Sequence, residues 1–171
     1  EKLYRTALEF ADIKPGETVW DLYCGIGTIS LFIARELGSA GEVIGVEIVP
    51  EAIENAKENA RRNNITNARF YAGAAEEVVP KLIFSDGSES AKADVVVVDP
   101  PRKGCDQTLL DTIVRVSPKR IVYVSCDPAT LARDVKVLAA KGYEVKKVRT
   151  CDMFPMGGHV ESVVGLQRKD M

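Results

Sequence analysis

The stretch Ala93 to Val98 reads Ala-Asp-Val-Val-Val-Val and closes on Asp99-Pro100-Pro101. A β-branched run of this kind leaves no polar face, so it suits a strand covered on both sides, as in a parallel sheet. Parallel neighbours need crossover connections, and helical patterns fill the intervals. Leu3, Tyr4, Ala7, Leu8 and Ala11 form one helical face over Glu1 to Ala11, which Lys14-Pro15-Gly16 stops. A strand to Tyr23 precedes a helix from about Thr28 to Leu37. Glu42 to Glu47 is the second strand, and Pro50 opens a helix with Ala52, Ile53, Ala56 and Ala60 on its apolar face, ending at Asn63-Asn64. Ala68 to Ala72 is a third strand, followed by a short helix over Ala75 to Leu82 and a polar loop over Ser85 to Lys92. Beyond Val98 come a helix near Gln107 to Val116, a strand Arg120 to Val124, a helix Leu131 to Ala140, a strand Tyr143 to Cys151, a loop Asp152 to His159 and a last strand Val160 to Gln167. This alternation predicts an α/β fold with a mostly parallel sheet, right-handed crossovers, and ligands beyond the carboxyl ends of the strands.

Thr18 to Leu31 shows what such a ligand is. Thr-Val-Trp-Asp-Leu-Tyr-Cys-Gly-Ile-Gly-Thr-Ile-Ser-Leu is a strand feeding a helix through a glycine turn. Gly25 and Gly27 let backbone approach a ligand, and the helix from Thr28 aims its free N–H groups at it. Glu47 ends the next strand twenty residues after Gly27, where a ribose diol needs an acceptor. A dinucleotide fingerprint wants a third glycine where this chain has Ser30, and Asp21 at the strand end repels phosphate and attracts a cation. Adenosine without phosphates and with a positive charge describes S-adenosylmethionine.

At 171 residues and 46% apolar content, with no composition break, the chain is expected to form one domain. Its net charge of −2 excludes a strongly basic nucleic-acid arm, although Lys119-Arg120 and the stretch Lys141 to Arg149 are locally basic. Cys24, Cys105, Cys126 and Cys151 have no CxxC spacing, and no signal peptide or membrane-length apolar run is present, so a reducing cytoplasm, no metal and no membrane partner are expected. The chain opens at Glu1 directly into a helical pattern, from which a fragment of a longer protein is expected, and a monomer is expected besides.

Asp21, Tyr23, Glu47, Asp99 and Cys126 all fall at carboxyl ends of strands. Capping the next helix is the plainer role for an acid there, but a cap needs no Pro-Pro-Arg-Lys after it, which favours a functional Asp99. Most free cysteines are small buried hydrophobes. Cys126 is set apart by lying between a buried strand and a new helix, whose dipole lowers a thiol pKa. Cys24 is expected to pack beneath the cofactor, and Cys105 and Cys151 to be structural. Alternation puts His159 and Glu161 on one face of the last strand. His159 suits an orienting role, whereas a carboxylate opening an apolar strand suits proton transfer.

Asp-Leu-Tyr-Cys-Gly-Ile-Gly-Thr, Asp-Pro-Pro-Arg-Lys-Gly, Ser-Cys-Asp-Pro-Ala-Thr-Leu-Ala-Arg-Asp and Asp-Met-Phe-Pro-Met-Gly-Gly-His-Val-Glu-Ser together resemble the RNA (uracil-5-)-methyltransferases of tRNA and rRNA. The resemblance runs from end to end of the chain. It implies a class I methyltransferase, Rossmann-like fold with a seven-stranded sheet and a final antiparallel strand pair, S-adenosylmethionine as donor, RNA as substrate and 5-methyluridine as product. By motif position it places the nucleophile on Cys126, the proton-abstracting base on Glu161, cofactor contacts on Tyr23, Gly25, Thr28, Glu47 and Asp99, and Asp99 close to the target base as well. The family's upstream glutamine, N-terminal RNA-binding barrel and, in some members, iron–sulfur cluster have no counterpart in this sequence. Gly73-Ala74-Ala75 stands where the family often has a polar cofactor contact, which implies backbone contact there.

Uracil C5 is a poor nucleophile until a thiolate adds at C6, and the adduct resolves only when a base removes the C5 proton. A stacked base must first be turned out, and Phe154 is the candidate to stack on it. Two other readings stay open: a cytosine-5 or amino methyltransferase, although the latter favours an aromatic where Arg102 stands, and a cofactor-binding RNA adaptor without activity.

Overall fold

In the computed structural model, which describes residues 2–84, 92–152 and 160–170, the chain runs α1 (Lys2–Ala11), β1 (Thr18–Leu22), α2 (Thr28–Leu37), β2 (Glu42–Glu47), α3 (Pro50–Arg62), β3 (Ala68–Ala72), α4 (Ala75–Phe84), β4 (Val95–Val98), α5 (Gln107–Val116), β5 (Arg120–Ser125), α6 (Pro128–Ala140), β6 (Tyr143–Cys151) and β7 (Glu161–Arg168). The strands form one sheet in the order β3-β2-β1-β4-β5-β7-β6. β1 to β5 are parallel, and β7 enters antiparallel to both of its neighbours. This is the class I methyltransferase arrangement that the sequence led us to expect.

Alternating residues of the central strands feed two cores. Trp20, Leu22, Val96, Val98, Ile121 and Tyr123 pack on Leu109, Ile113, Leu131 and Leu138 of α5 and α6. Val19, Val43, Val95, Val97, Val122 and Val124 pack on α1 and α2 through Leu3, Ala7, Phe10, Ile29 and Ile33. Every residue of β4 is buried, as a strand covered on both faces requires.

Two element starts differ from the sequence reading by two residues or more. β4 starts at Val95 and not Ala93, because Asp94 serves as a tie: its carboxylate accepts from the Thr18 N–H at 3.0 Å and pairs with Lys119 at 3.0 Å. α6 starts at Pro128, three residues before the expected Leu131, because Asp127 caps it by accepting from Ala129 N–H at 2.9 Å and Thr130 N–H at 3.0 Å. Proline at the first helical position gives up an N–H that has no partner there anyway. Basic residues singled out in the sequence are drawn into the fold as well: Arg120 pairs with buried Glu17, and Lys119 with Asp94. Among the described residues no helix is long and apolar enough to cross a membrane, and no cluster of metal-ligating side chains occurs. Phe154, His159 and most of the loop over Ser85 to Lys92 lie outside the described residues.

Candidate active site

Register builds the rim. Leu22 stands opposite Val46 on one side and Val98 on the other, so the next residue of each strand, Tyr23, Glu47 and Asp99, comes out side by side. These residues, with Ile48, Gly73 and Lys103 among others, line a cavity of about 400 Å³. Glu47 closes the glycine turn onto β2: its carboxylate accepts from Gly25 N–H and from Val49 N–H, each at 3.1 Å. Tyr23 adopts φ +68°, a left-handed conformation that turns the chain sharply off β1.

The two glycines of the turn serve different ends. At Gly25 (φ +54°) a Cβ would meet nothing, so this backbone is open to a ligand. At Gly27 (φ +84°) a Cβ would stand 3.1 Å from Ala56 and from the Phe70 ring, so glycine there lets the turn seat on α3 and β3. Gly27 also occupies the N-cap of α2, where no side chain caps the helix. The first backbone N–H groups of α2 are thus without a side-chain acceptor of the usual kind. Thr28 lines a separate groove of about 260 Å³ between α2 and α3, with Leu31 and Asn59, and not the rim cavity.

Asp21 lies beneath the turn, 1% exposed, and does not reach the cavity surface. Its Oδ2 accepts from the Ser30 hydroxyl at 2.5 Å, while Oδ1 has no partner among the described residues. Burial pushes this carboxyl up to about 7, the Ser30 hydroxyl pulls it back, and Asp99 and Glu47 add repulsion. Asp99 faces the open side of the cavity, yet the protein around it displaces enough water to raise its carboxyl to about 6, with Glu161 adding repulsion. Neither acid is a helix cap: Gly27 precedes α2, and Asp106 caps α5 by accepting from Leu109 N–H at 2.7 Å. Acids gathered at and beneath one cavity are suited to a cationic ligand, which relieves the repulsion between them.

Ser125, the last residue of β5, pairs with Ser162 of β7. Cys126 and Glu161 are the next residues beyond this last pair, at the same end of the sheet, and the repulsion between Glu161 and Asp99 puts the two acids near one another. Cys126 is partly exposed at the mouth of α6, in front of the Asp127 cap. The other three thiols occupy plainer settings. Cys24 is buried against Ile53, Ala56 and Phe70, and burial pushes its thiol up. Cys105 is buried, with its thiol raised to about 12, and Cys151 ends β6 opposite Glu161 from the other side.

A model of the tRNA (uracil-5-)-methyltransferase family matches residues 1–169. The chain belongs to this family. It is 55% identical over 170 residues to an uncharacterized RNA methyltransferase of Clostridium acetobutylicum, covering 99% of this chain and 35% of the relative. A second relative, from Halalkalibacterium halodurans, is 56% identical over 168 residues, covering 98% of this chain and 35% of its own length. The chain therefore spans about a third of the curated relatives it matches. Among solved structures it superimposes on the Pyrococcus abyssi tRNA (uracil-54, C5)-methyltransferase in complex with S-adenosyl-L-homocysteine, with TM-score 0.78 and 36% identity over 96% of this chain and 37% of that one. TrmN from Thermus thermophilus, 23% identical at TM-score 0.77 over 97% of this chain and 48% of its own, shares the fold.

In this member of the uracil-5-methyltransferase family, several residues that shape the site were not among the candidates. Ile48, directly after the acid that ends β2, is 63% exposed and lines the cavity, an apolar surface suited to a flat ring. Phe70 lies across Gly45 of β2, where a Cβ would come within 2.6 Å of its ring, and so supports the glycine turn from below. A lone glycine inside an apolar strand was the available hint of such a close approach. Asp134, wholly buried on α6, closes the Ser-Cys-Asp-Pro-Ala-Thr-Leu-Ala-Arg-Asp motif, yet it drew no role, since an acid in a helix reads as a solvated face.

Proposed function

We propose that the chain methylates C5 of uridine in tRNA or rRNA, using S-adenosylmethionine, through a transient bond between Cys126 and C6. The observation that carries this reading is the last pair of the β5–β7 register, Ser125 with Ser162, beyond which Cys126 and Glu161 are the next residues at one end of the sheet, with Asp99 near Glu161. Family membership and the S-adenosyl-L-homocysteine complex of the Pyrococcus abyssi protein support it. Free thiols throughout, including the partly exposed Cys126, suit a reducing cytoplasm.

The rim fits the cofactor. Gly25 offers backbone without an obstructing Cβ, Glu47 offers a carboxylate at the ribose position, Ile48 an apolar wall and Asp99 a negative charge for the cationic end. Asp21 acts from below by fixing α2 through Ser30 and by adding negative potential. When bound, S-adenosylmethionine supplies an electrophilic methyl group at a positively charged sulfur.

Cys126 as thiolate forms the S–C6 bond, and the C5=C6 electron pair moves to C5 and O4, which makes C5 nucleophilic. Asp99, ionised above about pH 6, accepts from the uracil N3–H and holds the ring edge; cytosine has no hydrogen at that atom. After methylation Glu161 takes the C5 proton. The released electron pair restores C5=C6, and the S–C6 bond breaks to return Cys126 as thiolate. A thiol and an acid that follow the last residue pair of two adjacent antiparallel strands are suited to flank one pyrimidine.

The test is a Cys126→Ala variant with 5-fluorouridine RNA. Wild type forms a covalent protein–RNA adduct; the variant forms none and still binds S-adenosyl-L-homocysteine. An adduct in the variant refutes the assignment. Mass mapping of the product separates 5-methyluridine from 5-methylcytosine and N-methylated bases.

A further inference from the structure

Asp99 and Cys126 come from different segments, the loop after β4 and the turn before α6, and must be held at one separation if both are to grip the same ring. The loop is clamped to α6 at Arg102, Lys103 and Cys105. Thr130 Oγ1 donates to the Arg102 carbonyl at 2.9 Å, and Arg133 Nη2 donates to the carbonyls of Lys103 at 2.9 Å and Cys105 at 3.1 Å. Asp134, with 0% exposure, completes the clamp. Its Oδ2 accepts from Cys105 N–H at 2.8 Å and from the Tyr123 hydroxyl at 2.6 Å, and its Oδ1 accepts from Arg133 Nε at 2.7 Å. One carboxylate therefore joins the Asp99 loop, the strand that leads to Cys126, and the helix that follows it. Gly104 (φ +75°) sits against this joint, where a Cβ would stand 2.6 Å from Asp134 Oδ2 and from Arg133 Nη2.

For stability alone this is a poor choice of residue, because apolar side chains of similar volume replace buried ionic groups at little cost or with gain. What directional hydrogen bonds add is a fixed geometry between the groups they join. We propose that Asp134 is a positioning residue, which sets the separation of Asp99 and Cys126 by tying Cys105 and Tyr123 to α6. The proposal rests on the reading of Cys126 as nucleophile.

The experiment uses the full chain with Asp134→Asn, which keeps the shape but puts an NH₂ where one accepting oxygen stood, and with Gly104→Ala, which leaves Asp134 in place and pushes the loop off it. Melting curves fix a temperature at which each variant is folded. At that temperature Asp134→Asn is expected to lower kcat about 100-fold, the scale of an ångström-sized misplacement, with KM for RNA changed by less than about threefold. Amide hydrogen exchange over residues 102–105 is expected to quicken about tenfold or more. A folded Asp134→Asn with kcat within about threefold of wild type overturns the proposal, as does a lost kcat with exchange over 102–105 unchanged. Should Asp134→Asn fail to fold, Gly104→Ala decides: a loss of about tenfold in kcat supports the proposal and a wild-type kcat overturns it. Absence of the 5-fluorouridine adduct in wild type sinks the nucleophile reading instead, so the two failures are told apart.

Discussion

Ser125 of β5 stands opposite Ser162 of β7, the last pair of their antiparallel register, and Cys126 and Glu161 are the next residues beyond it. Residues 35 positions apart in the chain are thereby brought to one end of the sheet, where Asp99 also emerges. The sheet is antiparallel only around β7, and there alone can two strand ends of opposite polarity present a thiol and an acid to one gap.

If Glu161 removes the C5 proton, Glu161→Gln stalls after methylation. Incubation of that variant with unmodified substrate RNA and S-adenosylmethionine is expected to accumulate a covalent, methylated protein–RNA complex, stable to denaturing electrophoresis. Turnover is expected to fall by about 100-fold or more, in line with loss of a general base. Free, fully methylated RNA released at the wild-type rate speaks against Glu161.

Cofactor affinity should depend on pH with a definite sign. Asp99 and Asp21 ionise near about 6 and about 7, and a cation binds best when both are ionised. Affinity for S-adenosylmethionine is therefore expected to rise from about pH 5 to about pH 8 and then level, by roughly tenfold. S-adenosyl-L-homocysteine lacks the charge on sulfur and should show a smaller rise. Calorimetric titrations of both ligands across this range check it, and equal slopes count against acids that select the sulfonium.

The buried carboxyl of Asp21 has a cost for stability. Its pKa is raised in the folded state, so the stability it contributes is complete below about pH 4 and is lost as pH rises through about 7. The advantage of Asp21→Asn over wild type should grow between those values and then stay level, reaching at most about 4 kcal/mol. Urea denaturation of both proteins at a series of pH values without ligand measures the difference. A gap that does not change with pH removes the titration from the account.

The turn glycines should separate stability from binding. Gly27→Ala strains a positive φ and presses on Ala56 and Phe70, so it is expected to destabilise by about 1–3 kcal/mol. Gly25→Ala meets open space, costs about 1 kcal/mol for its φ, and intrudes where ligand approaches, so cofactor affinity is expected to fall about tenfold. Thermal melts and ligand titrations on both variants check the contrast, which disappears if both lose affinity equally.

Much of the fold was legible before any coordinates. Ala68–Ala72, Gln107–Val116 and Tyr143–Cys151 fall where the pattern put them, because hydrophobic period and turn residues are local properties. The misplaced starts of β4 and α6 share a cause. Asp94 and Asp127 act through hydrogen bonds to backbone or to a distant lysine, and a periodicity argument sees their side chains only as polar. The site was legible as a set of types, an acid after each of several strands and a cysteine before a helix, without their neighbours. Asp21 and Thr28 show the limit. Both fall in the glycine-turn motif, yet one is sealed under the turn and the other lines a different groove.

The sequence by itself determined the alternation of strand and helix, the burial of β4 on both faces, the glycine turn and the order in which candidate groups reach the sheet's carboxyl rim, because each follows from residues a few positions apart. Only the tertiary structure decided that Cys126 and Glu161 come to one end of the sheet, that Asp99 and Asp21 share one electrostatic field, and that Asp134 bolts the Asp99 loop to the helix behind Cys126. Strand register and core hydrogen bonds depend on how distant segments pack, and slipping a strand by one residue would turn every side chain to the opposite face.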